Sequence, residues 1–262
     1  MTARLAGRVI VVTGATGLAA TSAQRLATEG ASVFTISLIE DQCEALHEAI
    51  AEAGGTHAWA TADLRDEGAT VLAFAACLER FGHIDGLLAV AGGSGRGFGD
   101  GLVDTVSLEA WQATLDLNLT TTFLSVREAI RHIRTSGTGG SIVVVSSVLA
   151  DHPSPSLFGT HAYAVAKAGQ LALVRAAASA YAGDGIRVNA IAPGLVITPM
   201  SQRAQGDRDV AAYIEAKQPL SGFMEPESIA STAAYLLSSE GDMITGQVLG
   251  VDGGWSVTEV GG

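Results

Sequence analysis

Short runs rich in Val and Ile recur along the chain, each followed by a longer stretch whose apolar residues repeat at helical spacing. A run that is apolar on both faces reads as a central parallel strand, and the helix after it supplies the crossover that parallel pairing needs. On this pattern strands are predicted at Val9–Val12, Ser32–Ile36, His57–Ala60, Gly86–Val90, Ser141–Ser146, Arg187–Ile191 and Gln247–Val251. Helices are predicted at Leu18–Gly30, Asp41–Ala53, Glu67–Phe81, Leu108–Arg134, Tyr163–Gly183 and Glu227–Ser238. No linker, repeat or composition break interrupts the alternation. The expectation is a single doubly wound α/β domain spanning residues 1–262, with a mostly parallel seven-stranded sheet.

Two segments depart from the pattern. Residues 92–101 carry Gly at six of ten positions and are too Gly-rich to hold a fixed shape alone. Residues 195–225 make a long excursion, with a helical piece at Asp207–Lys217, of the kind that serves as a substrate lid or binding loop.

Composition narrows the class. Hydrophobic residues make up 48% of 262 and charged residues 16%, which supports a large folded core. A net charge of −12 argues against nucleic acid, because phosphate contacts need stripes of Lys and Arg. Cys43 and Cys77 both fall inside helical patterns, so they read as buried thiols in a reducing compartment. No leader-like apolar stretch opens the chain and no apolar run approaches the ~18 residues of a membrane span, so a soluble cytoplasmic protein is expected. No metal site is expected.

The chemistry-bearing stretches follow the strands. Val9–Thr13 leads into Gly14, Thr16, Gly17 and Leu18, a Gly-rich turn that opens a helix. Such a turn lets backbone N–H groups and the helix dipole meet a pyrophosphate. Ala20 stands where a third Gly would allow the closest helix–strand contact. The second strand ends near Ser37, with no Lys or Arg at that point to meet a 2′-phosphate. That favours NAD, while Ser37 leaves NADP possible. Asp63 and Leu64, after the third strand, are candidates for the adenine edge; Asp63 also reads as a turn or helix-cap aspartate.

Tyr163 and Lys167 lie four residues apart and share one helix face, with Cβ atoms roughly 5–6 Å apart. A fixed positive charge beside a phenol lowers a pKa that is otherwise near ~10, bringing it toward the range of a proton-transfer catalyst. A bare Y-x-x-x-K is a weak motif, and its weight depends on what surrounds it.

The surroundings resemble the short-chain dehydrogenase/reductase family over essentially the whole length. The matching motifs, in order, are Thr13–Gly17, Ala91-Gly92, Asn118, Ser147, Tyr163/Lys167 and Pro193-Gly194, with Gly246–Gly254 closing the pattern. Three departures stand out. The glycine turn is one residue short of the usual spacing, Ala89-Val90 replaces an Asn pair, and the sixteen positions from Ser147 to Tyr163 exceed the family norm. The last implies an enlarged loop beside the substrate.

The resemblance implies a Rossmann-like fold and hydride transfer between a nicotinamide cofactor and a small-molecule alcohol or ketone. It implies Tyr163 as acid/base, Lys167 on its pKa and the nicotinamide ribose, and Ser147 on the substrate oxygen. Asn118 would hold a helix distortion and a water reaching Lys167. Pro193, Gly194, Ile197 and Thr198 would contact the carboxamide. Ser146 should point the other way by strand alternation. His152 and His161 are taken as loop residues, and Trp255 as packing on a partner subunit or capping the pocket. Helix Tyr163–Gly183 is apolar nearly all round, and with the family's habit of pairing this helix it points to a homodimer or homotetramer. The alternative is a non-catalytic dinucleotide-binding or regulatory protein, which would have no physical need for Asn118, Ser147, Tyr163 and Lys167 together.

Overall fold

The computed structural model describes residues 3–154, 157–220 and 222–259. Its seven strands are β1 (Val9–Thr13), β2 (Ser32–Ser37), β3 (Thr56–Thr61), β4 (Gly86–Ala89), β5 (Gly140–Val145), β6 (Ile186–Pro193) and β7 (Val248–Val251). They form one sheet in the order β3-β2-β1-β4-β5-β6-β7, with every pairing parallel. The chain reverses direction across the sheet between β1 and β4. That switch point opens a crevice at the carboxyl ends of the strands.

Alternation along β1 shows why both faces need helices. Val9 and Val11 enter one core cluster while Ile10 and Val12 enter the other. The first cluster takes Phe74 and Cys77 of α3 (Glu67–Phe81), Ile130 and Ile133 of α5 (Thr121–Ser136), and Val174 of α6 (His161–Tyr181). The second takes Leu26 of α1 (Leu18–Thr28), Leu46 of α2 (Glu40–Glu52), and Ile229 of α9 (Glu227–Leu237). Cys43 and Cys77 are buried, unpaired thiols, and burial pushes Cys77 up to about 12, so neither is a nucleophile.

The helix predicted over Leu108–Arg134 is broken, at the place where the resemblance implies a distortion held by Asn118. Helix α4 (Leu108–Leu115) passes into a π turn at Asp116–Thr120 before α5 begins. The cause is side-chain competition: Asn118 turns inward and spends its amide on the backbone of Gly93 and Thr114. Residues 195–225 carry two short helices, α7 (Gln202–Gln205) and α8 (Arg208–Lys217), and return to the sheet through a bridge between Val196 and Met224.

Candidate active site

A cavity of about 330 Å³ lies in the crevice at the strand ends. It gathers Gly14, Thr16, Gly17, Leu18, Ala91, Gly92, Ser147, Tyr163, Lys167, Pro193, Gly194 and Thr198, twelve of the positions expected from sequence. Asn118 lies just behind the wall. Ser37, Asp63, Leu64 and Ile197 are not part of the lining. Leu64 is packed in the core, and Ser37 lies near the Cys43 thiol at the end of β2. Asp63 is gripped by the Arg65 guanidinium at 2.7 Å, which holds its carboxyl below the usual range.

The turn between β1 and α1 works by leaving atoms out. Gly14 has φ +93° and Gly17 φ +53°, both in the region that L side chains rarely adopt. Helix α1 then begins with no side-chain cap and no acidic residue in its first turn, so its positive end is left to an external anion. The small residue packed inside is Ala19, 2% exposed, while Ala20 is only partly buried. The close-packing role given to Ala20 therefore falls one residue earlier, as the shortened turn requires. The missing Asn pair after β4 has a substitute in Thr13, whose hydroxyl accepts the amides of Val90 at 2.9 Å and Ala91 at 3.0 Å.

Asn118 fixes the next wall. Its side chain donates to the Gly93 carbonyl at 2.9 Å and accepts the Gly93 amide at 3.1 Å. A Cβ on Gly92 would sit 2.5 Å from that same Asn118 oxygen, so only glycine fits. The Asn118 carbonyl accepts from Gln170 Nε2 at 3.1 Å and from Thr122 at 2.8 Å. Sequence reasoning missed Gln170; its only signal was a polar residue on an otherwise apolar helix.

The Gly-rich segment 92–101 is not left to itself. Asp100, 9% exposed, accepts the amides of Ala162 at 3.0 Å and Tyr163 at 2.9 Å. The Gly101 carbonyl accepts from His161, and His161 Nδ1 accepts from Val103. These bonds cap α6 at the turn that presents Tyr163. Asp100 was also missed; an Asp inside a glycine run was the available sign.

Tyr163 and Lys167 are both buried. Lys167 Nζ lies 5.5 Å above the Tyr163 ring and donates to the Val145 carbonyl at 2.9 Å. Burial pushes the phenol up to about 12, with the Ser147 hydroxyl pulling it down. Burial pushes Lys167 down to about 7. The expected lowering of Tyr163 by Lys167 is not found in this geometry, because one dry environment disfavours both charged forms. Ser146 donates to the Lys167 carbonyl at 2.9 Å and ties α6 to β5, which leaves Ser147 as the hydroxyl facing Tyr163.

The outer part of the cavity is walled by a satellite cluster that includes Val148, Leu149, Phe158, Leu195, Ile214 and Trp255. Phe158 and Tyr213 pack on Trp255 with centroids 6.0 and 5.8 Å away, and Ser154 donates to the Tyr213 hydroxyl at 2.9 Å. Trp255, 3% exposed, closes the pocket. Pro155 and Ser156 of the enlarged loop, and the end of the C-terminal tail, lie outside the described residues. Gln218, fully buried, bonds both the amide and the carbonyl of Leu195 and so fastens the base of segment 195–225.

This geometry agrees with the comparisons to known proteins. The family model described as enoyl-(acyl carrier protein) reductase matches residues 12–256. Among curated relatives, cis-4-hydroxycyclohexanecarboxylate dehydrogenase of Sinomonas cyclohexanicum is 35% identical, over 96% of this chain and 97% of that one. The 2,5-dichloro-2,5-cyclohexadiene-1,4-diol dehydrogenase LinX of Sphingobium indicum is 35% identical, over 98% and 99%. Among solved structures, a short-chain type dehydrogenase/reductase from Mycobacterium ulcerans superposes with a TM-score of 0.90 at 31% identity, covering 97% of this chain and 91% of that one. The chain belongs to the short-chain dehydrogenase/reductases. It is an oxidoreductase. Among the described residues no helix is long and apolar enough to cross a membrane.

Proposed function

We propose that this chain is a nicotinamide-dependent dehydrogenase or carbonyl reductase acting on a secondary alcohol or ketone carried on an apolar ring, with Tyr163 as its acid/base. The observation that carries the reading is the convergence of Ser147, Tyr163 and Lys167 on one cavity whose other end is a glycine turn at an uncapped helix N-terminus. The glycine turn fits a dinucleotide, since Gly14 and Gly17 at positive φ bring bare backbone to an uncapped helix N-terminus beside the cavity. When bound, the nicotinamide supplies or accepts the hydride.

The chain's own residues handle the proton and the charge. Tyr163, held protonated through neutral pH, is placed to give its proton to a carbonyl oxygen, or to take one once deprotonated in alkaline solution. Ser147 donates to the same oxygen as charge develops on it. Lys167 bonds the Val145 carbonyl beneath the site, from where its Nζ would reach ribose hydroxyls. Asn118 holds Gly93, and with it the strand end against which the cofactor would lie. Pro193, Gly194 and Thr198 would border the carboxamide, and Asp63 and Leu64 the adenine side. Exposed Leu38 and Ile39 follow Ser37 at the tip of β2, with no cation among them, which supports NAD over NADP.

The apolar walls Leu149, Phe158 and Trp255 suit a ring, and both named relatives act on six-membered ring alcohols. Residues 195–225 would act as the lid of one domain. Val165 and Phe123 leave apolar surface exposed on α6 and α5, which suits pairing with a second copy as a homodimer or homotetramer in the cytoplasm.

The test is oxidation of NADH and NADPH against cyclohexanone and its derivatives. Reduction with a clear NADH preference is expected, and Tyr163→Phe should lower kcat by about 10³ while NADH affinity persists. Near wild-type turnover by Tyr163→Phe would remove the acid/base role.

A further inference from the structure

Resting on that reading, we propose that the preferred substrate carries a carboxylate: Arg96 and Arg203 form a clamp for it in the cavity that Tyr163 and Ser147 also line. Both arginines line the same cavity as the phenol and the serine hydroxyl. They come from separate parts of the chain, Arg96 from the glycine-rich segment after β4 and Arg203 from α7, so the cavity brings together two cations that no local structure requires.

Among the described residues neither has a counter-ion. Arg4 and Arg25 are matched to Glu29 and Arg127 to Glu67, while Arg80, Arg175 and Arg208 also lack an ion pair among the described residues; what sets Arg96 and Arg203 apart is that both line one cavity. Among the described residues no ion pair includes Arg96 or Arg203. Arg96 makes one bond, from Nη2 to the Leu157 carbonyl at 3.3 Å, which holds it against the enlarged loop on the substrate side. Burial, and then the charge of Arg203, pull its pKa below the ordinary range. Asp100 opposes that shift, but its carboxylate is committed to the amides of Ala162 and Tyr163.

Two guanidinium groups that repel each other over an apolar wall are relieved by one bound anion. Their planar donors suit a carboxylate, which can accept from both at once. Leu149, Phe158 and Trp255 line the same cavity, so a ring with an oxygen on one side and an acid on the other matches its chemistry. The substrate class that follows is a hydroxy or oxo acid whose two polar groups are separated by an apolar frame.

Cyclohexanecarboxylate carries no oxygen to convert, so its binding is read without turnover. Calorimetric titration of the full chain with NAD present should show this acid binding at least tenfold tighter than its methyl ester. Arg96→Gln and Arg203→Gln should each remove most of that preference, and Arg203→Lys should retain part of it. Equal binding of acid and ester overturns the proposal, as does a preference that survives in the double variant. If Arg203→Gln weakens NAD as much as the acid, the clamp belongs to cofactor phosphates and the proposal fails. The two readings separate cleanly. Cyclohexanone reduced without any acid preference defeats this proposal alone. Acid preference without reduction of 4-oxocyclohexanecarboxylate supports the clamp and defeats the ring-alcohol reading.

Discussion

The two halves of the crevice are built by opposite means. The half at β1 and β4 is shaped by absent atoms and fixed backbone: Gly14 and Gly17 at positive φ, Gly92 pressed on Asn118, and Thr13 holding two amides. The half toward Trp255 is shaped by side chains from distant segments that meet in a satellite cluster, with Ser154 bonded to Tyr213 and Phe158 on Trp255. Backbone-built walls tolerate no substitution and present one shape. Side-chain walls change with each residue. The first suits a constant ligand, and the second is where a substrate can be selected.

Tyr163 and Lys167 sit on the seam between the halves, and the cost of placing them there is the strongest test of the contrast. Lys167 titrates near 7 in the folded chain and near ~10.4 when unfolded. Between those values the unfolded chain binds a proton that the folded chain does not, so this group makes stability rise with pH from about 7 to about 10 and leaves it flat below 7. Lys167→Met should lower activity by about 10²–10⁴, yet at pH 7 it should be about 2 kcal/mol more stable than wild type after the lost Val145 hydrogen bond is counted. Melting curves at pH 7 and pH 10 check the sign, because the advantage should shrink at the higher pH. A variant less stable at both pH values would show that the buried ammonium is not a burden.

The backbone-built half predicts intolerance next. Gly92→Ala puts a methyl against Asn118 Oδ1, whose amide is already committed to Gly93 on both sides and cannot swing away. The strand end must move instead. Displacement on the scale of 1 Å near a reacting centre costs about 10² in rate. We expect cofactor affinity and kcat/KM to fall together by that order, with stability reduced by about 1–3 kcal/mol. Loss of stability with cofactor affinity intact would place the Gly92 wall outside the cofactor half.

The same contrast explains what could be read from sequence. Every strand was legible, because a parallel sheet covered on both faces must be written as short apolar runs. The glycine turn, Tyr163 and Lys167 were legible as local spacings with their own physical reasons, and Ser147 through the family resemblance. The π turn at Asn118 was legible only through the family resemblance, since its cause is a bond to Gly93, a contact 25 residues away that no periodicity records. Asp100, Gln170 and Gln218 were missed for the same reason: each acts on backbone groups of another segment. The pairing of Arg96 with Arg203 was equally invisible, as more than a hundred residues separate them.

The smallest effect belongs to the side-chain half. Ser154 is 4% exposed and donates its hydroxyl to Tyr213, joining the enlarged 147–163 loop to α8. Ser154→Ala removes one neutral hydrogen bond and leaves the tyrosine oxygen to find water at the part-buried edge, a loss of about 1 kcal/mol in holding the two segments together. Since that bond touches neither the phenol nor the glycine turn, steady-state kinetics should show substrate KM rising by about two- to fivefold, with kcat and cofactor KM near wild type. A fall in kcat at unchanged KM would mean that the loop positions the reacting groups themselves, and the division between a fixed cofactor half and an adjustable substrate half would not hold at this point.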